Sequence, residues 1–189
     1  MAEADMADAA ERRMTVDEFL EWDDGTDTRY ELVDGRPVAT APPTEMHGTL
    51  LVRVGSLLER GLRRPCRVVG QAGVRRPDRN DRFFVADVIV TCAPTDRTRR
   101  WTEDPVLICE ILSPSTEDFD LGRKVEEYRQ IPSVAEILLV SSERRRVTHW
   151  RRDGARWVVQ DFIGDAAVPL SVAPDTALRL EELYSGTDL

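Results

Sequence analysis

"LICEILSPSTEDFDLGRKVEEY", Leu107 to Tyr128, joins an apolar run to a helical pattern through a single proline. The run "PVLICEIL" (105–112) has the length and near-continuous apolar character of a central strand covered on both faces. Pro114 cannot continue a sheet interior. Ser115 or Thr116 can then cap a helix predicted to reach about Gln130 and to stop before Pro132. Strand, turn and helix in that order make this an α/β chain.

Two further strand candidates precede it, "CRVVGQAGV" (66–74) and "FFVADVIVTC" (83–92), and "AEILLVSS" (135–142) follows as another buried strand. "RRVTHWRRDGARWVVQDF" (145–162) reads as a hairpin turning at Asp153-Gly154, and "RYELVDGRPV" (29–38) as one turning at Asp34-Gly35. "MTVDEFLEW" (14–22) is predicted to be a short helix, with Thr15 and Glu18 forming a capping box. Leu50, Leu51, Val54, Leu57, Leu58 and Leu62 recur at helical spacing, and His47 extends that stripe by one turn at the helix start. This order of helices and strands predicts a mixed α/β sandwich with a sheet at its centre.

The 189 residues suffice for one substantial core. Residues 14–189 are expected to form a single domain behind a disordered acidic leader, 1–13. No stretch has the length of a membrane span. Cys66, Cys92 and Cys109 lie in strand-like runs without CxxC spacing. That pattern is expected of buried thiols in a reducing, cytoplasmic setting rather than of disulfides or zinc ligands. The net charge of −9 argues against indiscriminate nucleic-acid binding, yet residues 53–156 carry 21 basic and 16 acidic side chains. Their arginine clusters, such as "RRPDRNDR" (75–82), can hold phosphates or can be solvated strand edges and loops.

Asp87 and Glu110 stand in the middle of apolar strands. Burying an ionised carboxylate costs several kcal/mol, roughly, so each must be paired, protonated or turned to a cleft. On neighbouring strands the two would repel by about 4 kcal/mol at about 4 Å. A divalent cation resolves both costs, and carboxylate oxygens favour Mg²⁺ or Mn²⁺ over zinc. Structural ion pairs with arginine are the competing account of each acid alone. Lys124 is the single lysine among 26 basic residues. It shares a helix face with Asp120 and Tyr128, as a surface pair with Asp120 or as a compact, tunable ammonium beside Glu110.

Taken together, "YELVDG" (30–35), a histidine opening a helix, "FFVADVIV" (83–90), "ICEILSPST" (108–116) and "DLGRKVEEY" (120–128) resemble the bacterial "putative restriction endonuclease" family often called Uma-two, within the PD-(D/E)XK nuclease superfamily. The resemblance covers roughly residues 14–184 and implies an α/β fold with a restriction-endonuclease-like core, a central mixed β-sheet flanked by helices, with an extra N-terminal β-hairpin and C-terminal β-hairpin. It implies acids on two adjacent strands binding Mg²⁺, with Asp87 as the first, Glu110 as the second, the Ile111 carbonyl as a further donor and Glu31 as an additional N-terminal acid. His47 matches the family's histidine. Leu112 stands where the superfamily places its lysine, so Lys124 would reach the site from the following helix, and Ala86 replaces the signature proline.

The implied activity is metal-dependent hydrolysis of phosphodiester bonds in nucleic acid, DNA before RNA. Lys124, Glu110, Asp87, Glu31 and His47 form the expected catalytic set, and Asp87, Glu110 and Glu31 the metal ligands. A homodimer follows only from the need to address two strands. The alternatives are a catalytically silent regulatory module that keeps the fold, or a hydrolase of a non-nucleic phosphate ester. Trp150 and Trp157 beside arginines can stack on bases or cover the sheet. His149, without a partner at ligand spacing, is left outside the site.

Overall fold

The computed structural model describes residues 13–113, 120–175 and 177–189, with the backbone alone for Asp120 and Leu121. Most of the leader, and the Ser115 or Thr116 cap, lie outside the described residues. The elements run in the order α1 (Val16–Glu21), β1 (Tyr30–Val33), β2 (Arg36–Ala39), α2 (Glu45–Gly61), β3 (Arg67–Val74), β4 (Phe84–Thr91) and β5 (Pro105–Leu112). A π-helical turn (Asp120–Lys124) leads into α3 (Val125–Arg129), followed by β6 (Glu136–Ser141), β7 (Arg146–Asp153), β8 (Arg156–Ile163), β9 (Ala167–Pro169), β10 (Ala177–Arg179) and α4 (Leu180–Leu183).

Six strands form one sheet in the order β3-β4-β5-β6-β7-β8. β5 and β6 are parallel, whereas β4 with β5, β6 with β7 and β7 with β8 are antiparallel. The sheet is therefore mixed, as expected for an α/β core. The 145–162 hairpin is its outermost pair rather than an appendage. A separate two-stranded sheet of β9 and β10 lies nearer the C-terminus.

The chain divides into two compact units. The first comprises residues up to Pro42 together with Gly73–Val85. Here the capping box is present, with Thr15 and Glu18 bonding to each other's backbone N–H groups. Asp34 (φ 51°) and Gly35 (φ 78°) both lie in the left-handed region that a two-residue hairpin turn requires. Leu32 bridges Phe83 through two backbone hydrogen bonds, and Phe19 packs on the Phe83 ring. The "RRPDRNDR" arginines each find an aspartate: Arg75 with Asp17, Arg76 with Asp78, Arg79 with Asp81 and Arg82 with Asp34.

The second unit comprises Pro43–Ala72 and Ala86–Leu189. Leu50, Val54 and Leu58 of α2 enter one core with Val88 and Val90 of β4, Leu107, Cys109 and Ile111 of β5, and Leu138 and Val140 of β6. Alternate residues of β5, Ile108, Glu110 and Leu112, belong to its opposite face, and they too are buried. The near-continuous apolar reading of β5 thus reflects burial on both sides.

Cysteine chemistry differs from expectation. Cys66 and Cys92 form a disulfide, their Cα atoms 3.8 Å apart, while Cys109 is a free, buried thiol. Cys66 immediately precedes β3 and Cys92 immediately follows β4, so the pairing of these neighbouring strands brings the two sulfurs together across a sequence separation of 26. The CxxC criterion detects only local pairs and is blind to this one. Among the described residues, no helix is long and apolar enough to cross a membrane.

Candidate active site

The β4–β5 ladder pairs Ile89 with Ile108 and Val88 with Cys109. The paired register ends there, Asp87 and Glu110 are the next residues of the two adjacent strands, and the Ile111 N–H reaches the Asp87 carboxylate rather than a backbone carbonyl of β4. Asp87 is 9% exposed and Glu110 2%. Two carboxylates on neighbouring strands have thus been taken out of water, the burial whose electrostatic cost the sequence posed.

The surroundings offset part of that cost. Asp87 Oδ2 accepts the Ile111 backbone N–H at 2.8 Å, and Oδ1 meets His47 Nε2 at 2.9 Å. His47 is held there by the start of α2, where the Thr44 side chain accepts the His47 N–H as a helix cap. Glu110 Oε1 accepts a hydrogen bond from the Tyr128 hydroxyl at 2.5 Å, and Lys124 Nζ lies 3.6 Å from the same oxygen. Lys124 and Tyr128 are one helical turn apart, so both reach Glu110 from one face. The side chain of Asp120, the third member of that expected face, lies outside the described residues. The two carboxylates also act on Cys109: burial pushes its thiol well above the ordinary range, and the charges of Asp87 and Glu110 add to the shift.

The helix that carries Tyr128, directly after Lys124 at the end of the π-helical turn, is short. Five residues of α-helix do not hold themselves in water, and α3 is pinned from outside. Arg152 of β7 donates to the carbonyls of Val134, Arg129 and Ile131 at 2.7–3.0 Å, satisfying backbone acceptors at and beyond the α3 terminus. Its guanidinium also stacks on Trp157 at 4.5 Å, and that of Arg129 stacks on Trp150 at 5.1 Å. The two tryptophans therefore serve the packing of α3.

Glu31 is buried in the first unit, where its Oε1 accepts the Val85 N–H at 2.8 Å. Asp87, Glu110, His47 and Lys124 all belong to the second unit. His149 pairs with Glu136 at 2.9 Å on β6, away from the acid pair in sequence register and fully buried with its partner. Sequence reading left His149 outside the site and did not single out Glu136. It also named Tyr128 without a role. The available signal for Tyr128 was its i+4 spacing from Lys124.

Among the described residues, no group of three or more His, Cys, Asp or Glu side chains has metal-binding geometry. The donor chemistry nonetheless suits Mg²⁺, which characteristically takes one or two carboxylates and fills its other positions with water and substrate oxygens. Asp87 and Glu110 supply two such hard donors.

A crystal structure described as "a putative nuclease belonging to DUF820" from Anabaena variabilis matches the fold with a TM-score of 0.75 at 20% identity, over 91% of this chain and 98% of that one. Two uncharacterized Synechocystis proteins, slr1290 and sll1609, are each 28% identical to this chain. The first aligns over 88% of this chain and 92% of its own length, the second over 86% and 94%. A family model described as "Uma2: Putative restriction endonuclease" matches residues 16–181, most of the 189, and the chain belongs to that family, which supports a nuclease.

Proposed function

We propose that the chain is a metal-dependent endonuclease that hydrolyses phosphodiester bonds of nucleic acid, with DNA as the expected substrate. The observation that carries this reading is the pair of buried carboxylates on adjacent strands, Asp87 and Glu110, with the Lys124 ammonium 3.6 Å from Glu110. Asp87 and Glu110 would hold Mg²⁺, or Mn²⁺ in its place, with the Ile111 carbonyl as a further oxygen donor. When bound, the ion supplies charge to polarise a phosphate and acidify a water.

The chain's own groups have separate tasks. Lys124 offers a compact positive charge to a phosphate oxygen or to the attacking water, at a position arginine's broad fork would fill differently. In the neutral ring, the His47 nitrogen that meets a carboxylate is the protonated one. His47 therefore orients Asp87 through Nε2, and proton acceptance falls to its Nδ1. The Ile111 N–H holds the other Asp87 oxygen, so the carboxylate is aimed from two sides before substrate arrives.

Supercoiled plasmid and single-stranded DNA incubated with Mg²⁺ or Mn²⁺ test the reading. Cleavage is expected from the parent chain and not from Asp87→Ala or Lys124→Ala; equal cleavage by all three would remove it. The dense hydrogen bonding of Asp87 and Glu110 favours one competitor, a catalytically silent module whose acids form a closed structural cluster. That competitor predicts no Mn²⁺ binding.

A further inference from the structure

Glu110 Oε1 has two neighbours of different kinds. The Tyr128 hydroxyl is at 2.5 Å, within hydrogen-bond range, whereas Lys124 Nζ at 3.6 Å is beyond it. The phenol is thus a hydrogen-bond donor that orients Glu110, and the ammonium contributes charge at longer range. Tyr128 is fully buried and lies on α3, which is anchored by Arg152. Its hydroxyl therefore approaches Glu110 from a fixed point.

A phenol has a property an arginine or lysine in this place would lack: it directs a carboxylate without neutralising it. We propose that Tyr128 is a positioning residue of the metal site, holding Glu110 in its ligating orientation through a neutral hydrogen bond while the Lys124 ammonium stands 3.6 Å from the same oxygen. This inference rests on the metal-dependent reading above. Neutral hydrogen-bond donors behind metal-ligating side chains characteristically change metal affinity by about 10- to 100-fold when removed.

The test compares Mn²⁺ affinity by titration calorimetry, plasmid-nicking kinetics and thermal unfolding for the parent, Tyr128→Phe and Tyr184→Phe, each well below its melting midpoint. Tyr184 is the control, a second fully buried tyrosine whose hydroxyl donates to the carbonyls of Ser141 and Arg146 rather than to an acid. Phenylalanine fills the same volume in both cases. Tyr128→Phe is expected to weaken Mn²⁺ binding about tenfold and to lower kcat with KM for DNA unchanged. Tyr184→Phe is expected to lower the melting midpoint and leave Mn²⁺ affinity at the parent value.

Parent-like Mn²⁺ affinity in Tyr128→Phe would overturn the inference, whatever happened to its stability. A parent that binds Mn²⁺ but cuts no nucleic acid would defeat the nuclease reading alone, with the Tyr128 effect on affinity still standing. A parent that binds no Mn²⁺ would overturn both.

Discussion

Among the described residues the second unit contains two histidine–carboxylate pairs with the same 2.9 Å separation, half-buried His47 with Asp87 and fully enclosed His149 with Glu136, and their surroundings could hardly differ more. Glu136 stands without a second acid in its hydrogen-bond set. Its Oε1 accepts the Ser171 N–H at 3.1 Å and its Oε2 the Val172 N–H at 3.0 Å, so His149 and two backbone donors tie the segment before β10 to the sheet. Asp87 instead lies on the strand next to Glu110 and is bonded to the Ile111 N–H that follows it, with Lys124 and Tyr128 against that second acid. A buried carboxylate bound by a histidine and two backbone N–H groups is a structural tie. A second buried carboxylate on the neighbouring strand adds repulsion that folding alone does not relieve, and that concentration of acid marks the candidate site.

The contrast breaks most visibly at Glu136. Glu136→Ala leaves buried donors unpaired and is expected to cost about 3–5 kcal/mol in urea unfolding, with the specific activity of the folded fraction unchanged. Next in size, Lys124→Ala and Asp87→Ala should each lose activity by about a hundredfold or more, read as initial rates of plasmid nicking, with little change in the urea midpoint. A midpoint loss in Asp87→Ala as large as that of Glu136→Ala would erase the distinction between the two pairs.

Acid sharpens it further. Burial raises the Glu136 carboxyl, but the hydrogen bonds from His149, Ser171 and Val172 outweigh it and leave the group below its ordinary value of 4.5. Its folded pKa is depressed, so its contribution to stability is complete above that ordinary value and is lost as pH falls through the lower folded one. Urea midpoints measured from pH 7 downward should fall in the parent and fall less steeply in Glu136→Gln. An equal fall in both would show that Glu136 is not the linked group.

Two smaller effects complete the series. Thr44→Ala removes the cap that fixes His47 and is expected to cost about 1 kcal/mol, measured by thermal unfolding. Glu110→Gln retains an acceptor for Tyr128 while removing one of two opposed charges. In metal-free buffer its stability should match or slightly exceed the parent's, a sign opposite to that of the Glu136 variants.

Much of the site was legible before any coordinates. Acids inside apolar strands, a lone lysine and a tyrosine one turn beyond it are local facts. They pointed to Asp87, Glu110 and Lys124 because burying charge has a cost that sequence patterning makes visible. The structure brings those three together with His47. Glu136 went unnoticed because an acid opening a strand resembles an exposed strand end. Its burial comes from Ser171 and Val172, some 35 residues away. Cys66 and Cys92 misled for the same reason: their separation of 26 carries no short-range signal, and strand pairing brings them together.

By itself, the sequence determined the elements and their chemistry: β5 as a strand buried on two faces, α2 as an amphipathic helix, the hairpin at Asp34-Gly35, and which side chains carry unusual charge. These follow from periodicity, capping and turn geometry, which act over a few residues. Only the tertiary structure decided which acids face each other, which oxygen of Glu110 the Tyr128 hydroxyl holds, and how Arg152 secures α3. Those relations depend on strand register and on contacts between distant segments, where a shift of one residue would turn Asp87 to the opposite face of the sheet from Glu110.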